Sequence, residues 1–394
     1  MKSNGIWVSL ADICINRGEY GIAASAVDYD PKLISYLRIS DIRDDGSLDL
    51  TSRKSVADPK AENYMLLPND IVFARTGNST GRNYFYDPRD GKFAYAGFLI
   101  KFSIDPKLVN PHYIKYYCQS STYWNWVASF NSGSTRGNIN AKTYGSMPVF
   151  LPSRCEQDFI AKICDSISDK IRVNNKINDY LEQSCQLLFD RFSSDKTNPF
   201  VPVASIANIN PKRTIKKGET APYIEMANLS TRGAFPSEWK LKTYTSGMKF
   251  INGDTIIARI TPCLENGKAG YINFLEDGQT AFGSTEYIVI NTKGDLPPEY
   301  FYFLVRNPEF VTYAIAHMNG TSGRQRVSSS DIEHYQVRIP SERQLKQFNA
   351  LAIPAMQFIL KSSMENRKLT EVLNSLLPEL MSGEIDVSKI KLSI

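Results

Sequence analysis

The chain has 394 residues, of which 42% are hydrophobic, 22% charged and 11% aromatic. These proportions exclude a disordered or fibrous protein, and the length predicts two or three domains. Lysine and arginine outnumber aspartate and glutamate by 46 to 41, which gives a formal net charge of +5. An excess this small permits nucleic-acid binding without requiring it.

Histidine and cysteine usage argues against a metal site. His112, His317 and His334 lie far apart and outside any HExxH motif, and the six cysteines form no CxxC pair. Scattered cysteines in a long chain indicate reduced thiols, and Asp12 interrupts the first apolar stretch, so we expect a cytoplasmic protein without a signal peptide. No apolar run is long enough to span a bilayer.

The sequence repeats itself at a separation that rises slowly from 184 to 189 residues. The segment 68–75 matches 252–259, and in both an aspartate is followed four residues later by Ala-Arg. The other matched pairs, in chain order, are 110–114 with 297–301, 133–136 with 321–324, 152–153 with 340–341, and 187–188 with 376–377. Because the matches keep their order, we predict an internal duplication.

Each half begins with short β-branched and aromatic runs, broken by glycine, proline, asparagine and aspartate, and ends with a long helical pattern. We therefore predict an α+β fold. Two repeated globular domains, 1–153 and 199–340, would be separated by a pair of long antiparallel coiled-coil helices in a pseudo-two-fold arrangement. The helices would occupy 154–198 and 341–394, the second range including the C-terminal tail.

Apolar residues in both helical segments recur at alternating steps of three and four, which is typical of a coiled-coil seam. An ordinary amphipathic helix packed on its own domain is the alternative. Asn174 and Asn366 interrupt the two seams and could fix their register. The main apolar seam positions are Ile160, Ile163, Ile167, Ile177, Leu181 and Leu188 in the first helix, and Leu345, Phe348, Ile359, Leu369, Leu373, Leu376 and Leu380 in the second.

The length of these helices suggests a spacer. A helix of roughly 30 residues is about 45 Å long, which exceeds one turn of duplex DNA, about 34 Å. Pro354 lies within the second pattern and predicts either a kink or a delayed start of that helix.

Motifs for catalysis are incomplete. GxxxxGK[ST] and GxSxG are absent, 238–240 supplies only the ExK half of a nuclease signature, and 295–300 departs from the [DN]PP[YF] loop of amino-methyltransferases. These absences favour a duplicated binding module without catalytic or metal-ligating residues of its own.

Two polar loops that contain glycine follow the repeated aspartate strands, at 75–83 and 259–268. Arginine, asparagine and threonine are residue types that contact base edges and phosphates, and glycine lets a backbone approach a ligand closely. A solvated hairpin whose arginine pairs with a carboxylate is the alternative. The candidate DNA-binding residues here are Arg75, Thr76, Asn78, Arg82, Arg259 and Lys268.

A second pair of small, polar and basic segments lies at 132–140 and 320–328. Backbone amides with arginine suit phosphate oxygens, whereas a mobile linker is the alternative. A basic run near 212 could contact phosphate or be a solvated loop, and the aromatic cluster at 123–126 could stack on bases or belong to the core. The candidates from these segments are Arg136, Asn138, Lys212, Arg213, Arg324 and Arg326.

The duplicated layout, the repeated Asp-to-Arg motif at 70–75 and 254–259, and the segment 376–385 (LLPELMSGEI) together resemble the specificity subunits of Type I restriction–modification enzymes. The resemblance covers essentially the whole chain. It implies that the two domains are target-recognition domains, each of which reads one half of a bipartite, asymmetric site in double-stranded DNA. Pro354 and the polar seam residues depart from the family's pattern and bear on the straightness of the spacer.

The resemblance also implies partners. The paired helices would dock two modification subunits, which carry S-adenosylmethionine and the methyltransferase chemistry, and restriction subunits would add ATP-dependent translocation and cleavage with magnesium. No cofactor is expected in this chain. Two other classes stay open: an enzyme, either a solitary DNA methyltransferase or a nuclease, and a duplicated protein-interaction scaffold without nucleic acid.

Overall fold

The computed structural model describes residues 5–130, 137–321 and 323–381. The chain divides into two units: the first consists of 1–169 with 369–394, and the second of 170–368. Both divisions fall inside the long helices. The predicted domain limits lie at the ends of these helices. They are therefore not tested by this division and stay a prediction.

The first unit contains ten strands and three short helices among its described residues. The strands are β1 (Ile6–Ser9), β2 (Glu19–Tyr20), β3 (Ala26–Asp28), β4 (Ile34–Leu37), β5 (Lys54–Val56), β6 (Asp70–Ala74), β7 (Asn83–Phe85), β8 (Phe93–Tyr95), β9 (Leu99–Ser103) and β10 (Pro148–Leu151). The helices are α1 (Pro111–Tyr117), α2 (Ser121–Ala128) and α3 (Ala141–Gly145), followed by the start of the long α4 (Arg154–Ser193).

The second unit has the same kind of inventory. Its strands are β11 (Phe200–Pro202), β12 (Ala207–Ile209), β13 (Thr220–Ile224), β14 (Lys240–Thr243), β15 (Met248–Phe250), β16 (Thr255–Ala258), β17 (Ala269–Tyr271), β18 (Ala281–Gly283), β19 (Tyr287–Thr292) and β20 (Gln336–Arg338). Its helices are α5 (Val203–Ile206), α6 (Pro298–Arg306), α7 (Pro308–Ala316), α8 (Ser329–His334) and most of the long α9 (Glu342–Met381).

The two units share the topology of their main sheet and three strands of a second sheet, which confirms the predicted duplication and the α+β class. The main sheet has the order β2-β9-β6-β7 in the first unit and β12-β19-β16-β17 in the second. A second sheet contains one parallel pair in each unit, β4 with β8 and β13 with β18. Each long helix is preceded by a two-stranded sheet, formed by β1 and β10 in the first unit and by β11 and β20 in the second.

The central strands β6 and β16 are buried on both faces, and their side chains alternate between two cores as strand geometry requires. In β6, Phe73 packs in the core that includes α1, whereas Val72 packs in the core beneath the second sheet. In β16, Ile257 and Ile256 divide in the same way. Each central strand therefore joins the two layers of its unit.

The repeated aspartate shapes the turn that enters each central strand. Asn69 and Gly253, which precede the aspartates, have φ of 73° and 88°, a left-handed conformation that asparagine and glycine tolerate. Asp70 then accepts a hydrogen bond from the Leu67 amide at 2.8 Å. Burial raises the pKa of Asp70 and of Asp254. The motif therefore encodes a turn, and its aspartate is structural.

In the second unit, the long helices α4 and α9 pair through buried polar side chains. Asn174 donates to the Asn366 side chain at 2.8 Å, and Ser362 donates to Asn178 at 2.5 Å. The residue numbers rise along one helix and fall along the other, so the pairing is antiparallel, as predicted. The same helices also pack on the domain core, since Phe189 contacts Phe348 and Tyr300.

In the first unit, the start of α4 and the end of α9 share one core. Ile160 and Cys164 lie in the same buried cluster as Leu377 and Leu380. Of the predicted seam of α9, Phe348, Ile359 and Leu380 are 1%, 2% and 5% exposed and lie in the cores of their units. The other seam leucines of α9 are half-buried, namely Leu345, Leu369, Leu373 and Leu376.

The predicted seam of α4 is wrong at Ile177. That side chain is 38% exposed, whereas the neighbouring Asn178 is 8% exposed and faces α9. Pattern counting selected the apolar residue, but Asn178 can be buried because Ser362 satisfies its amide oxygen. The remaining seam positions, Ile163, Ile167, Leu181 and Leu188, are half-buried.

Pro354 does not delay the start of α9, which runs without interruption from Glu342 to Met381. That half of the prediction is wrong. A proline inside a helix costs about 3 kcal/mol, but this ring is exposed and the flanking Ala352 and Met356 are fully buried, so tertiary packing holds the helix together. Among the described helices, none is long and apolar enough to cross a membrane.

Candidate nucleic-acid interface

In the first unit, backbone hydrogen bonds hold the loop after β6 beside the segment that leads into α3. The Arg75 amide donates to the Phe98 carbonyl at 3.1 Å, and the Arg75 carbonyl accepts from the Ile139 amide at 2.9 Å. Thr76 forms an antiparallel bridge with Asn138. The two loops predicted from the sequence therefore meet at Arg75.

The second unit builds the same frame from equivalent residues. The Arg259 amide donates to the Glu286 carbonyl at 2.9 Å, and its carbonyl accepts from the Val327 amide at 3.0 Å. Ile260 forms the antiparallel bridge with Arg326. We call this arrangement the loop frame: Arg75, Thr76, Phe98, Asn138 and Ile139 in the first unit, and Arg259, Ile260, Glu286, Arg326 and Val327 in the second.

The arginine at the centre of each loop frame has an unused donor. The Nε atoms of Arg75 and Arg259 are buried and have no hydrogen-bond partner within the described part of the chain. The Arg75 guanidinium lies over the Tyr20 ring, 5.0 Å from its centre. Buried polar groups are nearly always paired, so an unpaired atom at the same position in both units is a shared feature of the two arginines.

Glycines keep the edges of both loop frames open. Gly77 and Gly323 have φ of 75° and 78°, and no atom lies within 4 Å of the place a Cβ would take. Beside them, Asn78, Asn138 and Arg324 are exposed. Polar side chains on an open edge are accessible to a partner molecule, and DNA contact by these residues stays a prediction.

In the second unit, Arg326 forms a two-pronged ion pair with Glu286. Its Nε and Nη2 atoms donate to the carboxylate at 2.9 and 2.7 Å, and its Nη1 donates to the Arg324 carbonyl at 3.2 Å. The hydrogen bonds from Arg326 hold the pKa of Glu286 below its usual value of 4.5, so the carboxylate stays ionised at neutral pH.

Besides Arg326, three more of the predicted DNA-binding residues have structural partners. Arg82 pairs with Asp44 at 2.7 Å, and Arg213 pairs with the fully buried Asp254 at 3.2 Å. Lys268 donates to the Met226 carbonyl at 2.7 Å. For Arg82 this matches the alternative reading given above, an arginine that pairs with a carboxylate. All three side chains tie a loop to its own unit.

The other predicted residues are distributed unevenly. Thr76 is half-buried in the first loop frame, and Lys212 is exposed on the loop before β13. Arg136 lies outside the described residues. The aromatic cluster belongs to the core, because Tyr123 is fully buried and Trp126 packs on Tyr144 with ring centres 5.8 Å apart.

Sequence reasoning missed the residues that complete the loop frames from distant strands. Tyr20, Phe98 and Glu286 carry no local motif, although Phe98 and Glu286 hold matching places before β9 and β19. It also missed Arg306, whose guanidinium donates to several backbone carbonyls of the second unit. Among the described residues, no group of three or more His, Cys, Asp or Glu could hold a metal ion.

Comparison with known proteins gives the family. The model of the Type I restriction modification DNA specificity domain matches twice, at residues 7–183 and 197–354. The chain belongs to this family, and its two matches correspond to the two halves of the duplication. The readings as a solitary enzyme or a scaffold are not favoured.

Two named relatives illustrate the range of similarity. The Type I restriction enzyme EcoEI specificity subunit of Escherichia coli is 31% identical over 150 residues, which is 36% of this chain and 25% of that protein. The chain thus spans only a quarter of the length of that relative. The MjaIX specificity subunit of Methanocaldococcus jannaschii is 24% identical over 421 aligned positions, which cover 98% of this chain and 87% of the relative.

Among solved structures, the S subunit of a Type I restriction–modification system from M. genitalium superposes with a TM-score of 0.58. The match covers 96% of both chains at 13% identity. It shows that the two proteins share a fold.

Proposed function

We propose that this chain is the DNA-reading subunit of a Type I restriction–modification complex, and that each loop frame reads one half of a bipartite target in double-stranded DNA. The observation that carries the proposal is the repeated arginine, Arg75 and Arg259, held by the same backbone bonds in both units with a buried, unpaired Nε. A repeated frame with different surrounding side chains suits a target whose two halves differ.

The proposal assigns no reaction to this chain. Two modification subunits would supply S-adenosylmethionine and methyl transfer, and restriction subunits would supply ATP, magnesium, translocation and cleavage. The pseudo-two-fold arrangement, the spacer role of the paired helices and a cytoplasmic location belong to the same proposal. With a net charge of only +5, the isolated chain would bind DNA weakly and with strong salt dependence.

The test is a map of methylated adenines in DNA from a host that carries this gene together with its modification partner. We expect a split motif with a fixed gap, because two linked readers engage two half-sites at high effective concentration. DNA from a host with the modification partner alone serves as the control. A methylation pattern that does not depend on this chain, or a motif without a gap, would contradict the proposal.

Docking of the modification subunits is assigned to one face of α4. Four apolar residues on this helix are exposed, namely Val173 (53%), Ile177 (38%), Tyr180 (58%) and Leu187 (71%). Their spacings of four, three and seven residues place them on a single face, as in a coiled-coil seam. A row of exposed apolar residues on a paired helix marks a protein contact, and the family supplies a helix-docking partner for it.

The double variant Ile177→Glu/Tyr180→Glu should weaken retention of the modification subunit by roughly ten-fold or more, because charges would be buried in an apolar contact. Co-purification with a tagged modification subunit measures this. Asn175→Asp introduces a negative charge at an exposed position on the opposite side of the helix and should retain the partner. Equal retention by both variants would remove α4 as the docking face.

A further inference from the structure

The ion pair between Glu286 and Arg326 lies on the open edge of the second loop frame. The side chains are 27% and 40% exposed, so neither is sealed in the core. The backbone of both residues belongs to the loop frame. The Glu286 carbonyl accepts a hydrogen bond from the Arg259 amide, and Arg326 forms an antiparallel bridge with Ile260. Both residues are therefore held by the backbone and also joined to each other.

The hydrogen bonds of Arg326 leave part of its guanidinium available. Of its five N–H groups, two donate to Glu286, from Nε and Nη2, and one donates from Nη1 to the Arg324 carbonyl. Within the described part of the chain, one N–H on each terminal nitrogen has no partner. These two donors form a planar fork, and the carboxylate fixes its direction.

A fixed, planar pair of donors matches the O6 and N7 acceptors of guanine in the major groove. It also matches two oxygens of a phosphate, but the ion pair discriminates between the two ligands. Glu286 cancels the charge of Arg326 and would repel a phosphate at close range. A guanine edge is neutral, so it gains the geometry of the fork without that repulsion.

The first unit places different chemistry at the same two positions. Asn138 takes the place of Arg326, and the 59%-exposed Phe98 takes the place of Glu286. The backbone bonds are shared, so only the side chains distinguish the two edges. Asparagine is the residue that pairs with adenine edges, which suits a target with two unlike halves.

We propose that Arg326 reads a guanine in the half-site bound by the second unit, and that Glu286 is a positioning residue which orients it. This inference rests on the proposed function. It adds that the base is a guanine and that the two free N–H groups of the Arg326 guanidinium contact it. It also gives the Glu286 carboxylate the role of orienting the arginine, as opposed to contacting the DNA backbone.

The experiment uses the full chain assembled with its modification subunits and a pool of DNA duplexes with a randomised central stretch. Bound duplexes are selected and sequenced for the wild type and for Arg326→Lys, Glu286→Gln and Arg343→Lys. Lysine keeps the charge of Arg326 but lacks the planar fork. Arg343→Lys is the matched control, because Arg343 is an exposed arginine of the same unit that lies on α9, outside the loop frame.

We expect the wild type to select a split motif. In Arg326→Lys, the preference for one G·C pair in one half of that motif should fall by roughly ten-fold or more. Glu286→Gln should lose the same preference while its binding to unrelated duplex does not fall, because removal of a negative charge favours DNA. A merely structural role for Glu286 would weaken binding to every duplex together. Arg343→Lys should leave the motif intact.

The inference is overturned if Arg326→Lys retains every position of the motif, or if the position it loses is not a G·C pair. It is also overturned if Arg326→Lys alters the salt dependence of binding with no change in the motif, which would make Arg326 a phosphate contact. A wild-type complex that selects no split motif would instead overturn the proposed function, so the two failures are distinguishable.

Discussion

The two units hold the far end of the loops at 75–83 and 259–268 by different means. In the first unit, Arg82 pairs with Asp44 at the surface, where the two side chains are 28% and 77% exposed. A neutral contact, Gln119 to Asn83 at 3.0 Å, lies beside it. The loop is thus anchored by a few bonds, one of which is a solvent-exposed ion pair.

In the second unit, one arginine forms several of the hydrogen bonds that hold the loop. Arg306 donates to the carbonyls of Gly267 and Ala269, at the end of the loop 259–268. It also donates to the carbonyls of Thr231 and Gly233 in a neighbouring segment, and to the Tyr302 hydroxyl. The comparison teaches that the backbone frame is common to both units, whereas each unit has its own side-chain anchor.

The largest effect should follow from Arg306→Ala. Its removal would leave several part-buried carbonyls without a donor, and each such group costs about 1–3 kcal/mol, so we expect a loss of at least roughly 3 kcal/mol in the free energy of unfolding. Urea denaturation of the full chain measures it. Gln119→Ala, the equivalent change in the first unit, should cost about 1 kcal/mol. Equal losses in the two variants would mean that the anchors do not differ.

A smaller effect should come from Asp44→Asn in the first unit. Exposed ion pairs contribute about 0–1 kcal/mol and are screened by salt, so the variant should be slightly less stable at low ionic strength and indistinguishable from wild type in 1 M salt. Thermal unfolding at both salt concentrations checks this. Lys268→Gln serves as the control in the second unit, where the lysine bonds a neutral carbonyl. An undiminished cost at high salt would show that the first anchor is not the exposed ion pair.

Much of the scaffold could be predicted from the sequence, because its signals are local and repeated. The turn at Asp70 and Asp254, the strand that follows it and the seam of α9 all depend on residues within a few positions of one another. For α4, the prediction that Ile177 faces α9 was wrong. Asn178 is buried there instead, because Ser362 of the other helix supplies its hydrogen-bond partner.

The side-chain contacts of the candidate interface could not be predicted in the same way. Arg82 and Arg213 looked available for DNA, but their carboxylate partners lie 38 and 41 residues away in the chain. Glu286 and Arg326 are 40 residues apart. A single sequence shows that a residue is basic, but it does not show which distant acid will pair with it.

The asparagine and serine pairs between α4 and α9 restrict how the lengths of these two helices can change. Asn174 meets Asn366 and Asn178 meets Ser362, so each of these four buried side chains has a polar partner on the other helix. An insertion in one helix alone would move these side chains away from their partners and leave buried polar groups unpaired. We therefore expect insertions in this stretch only as compensating pairs, one in each helix at the same level.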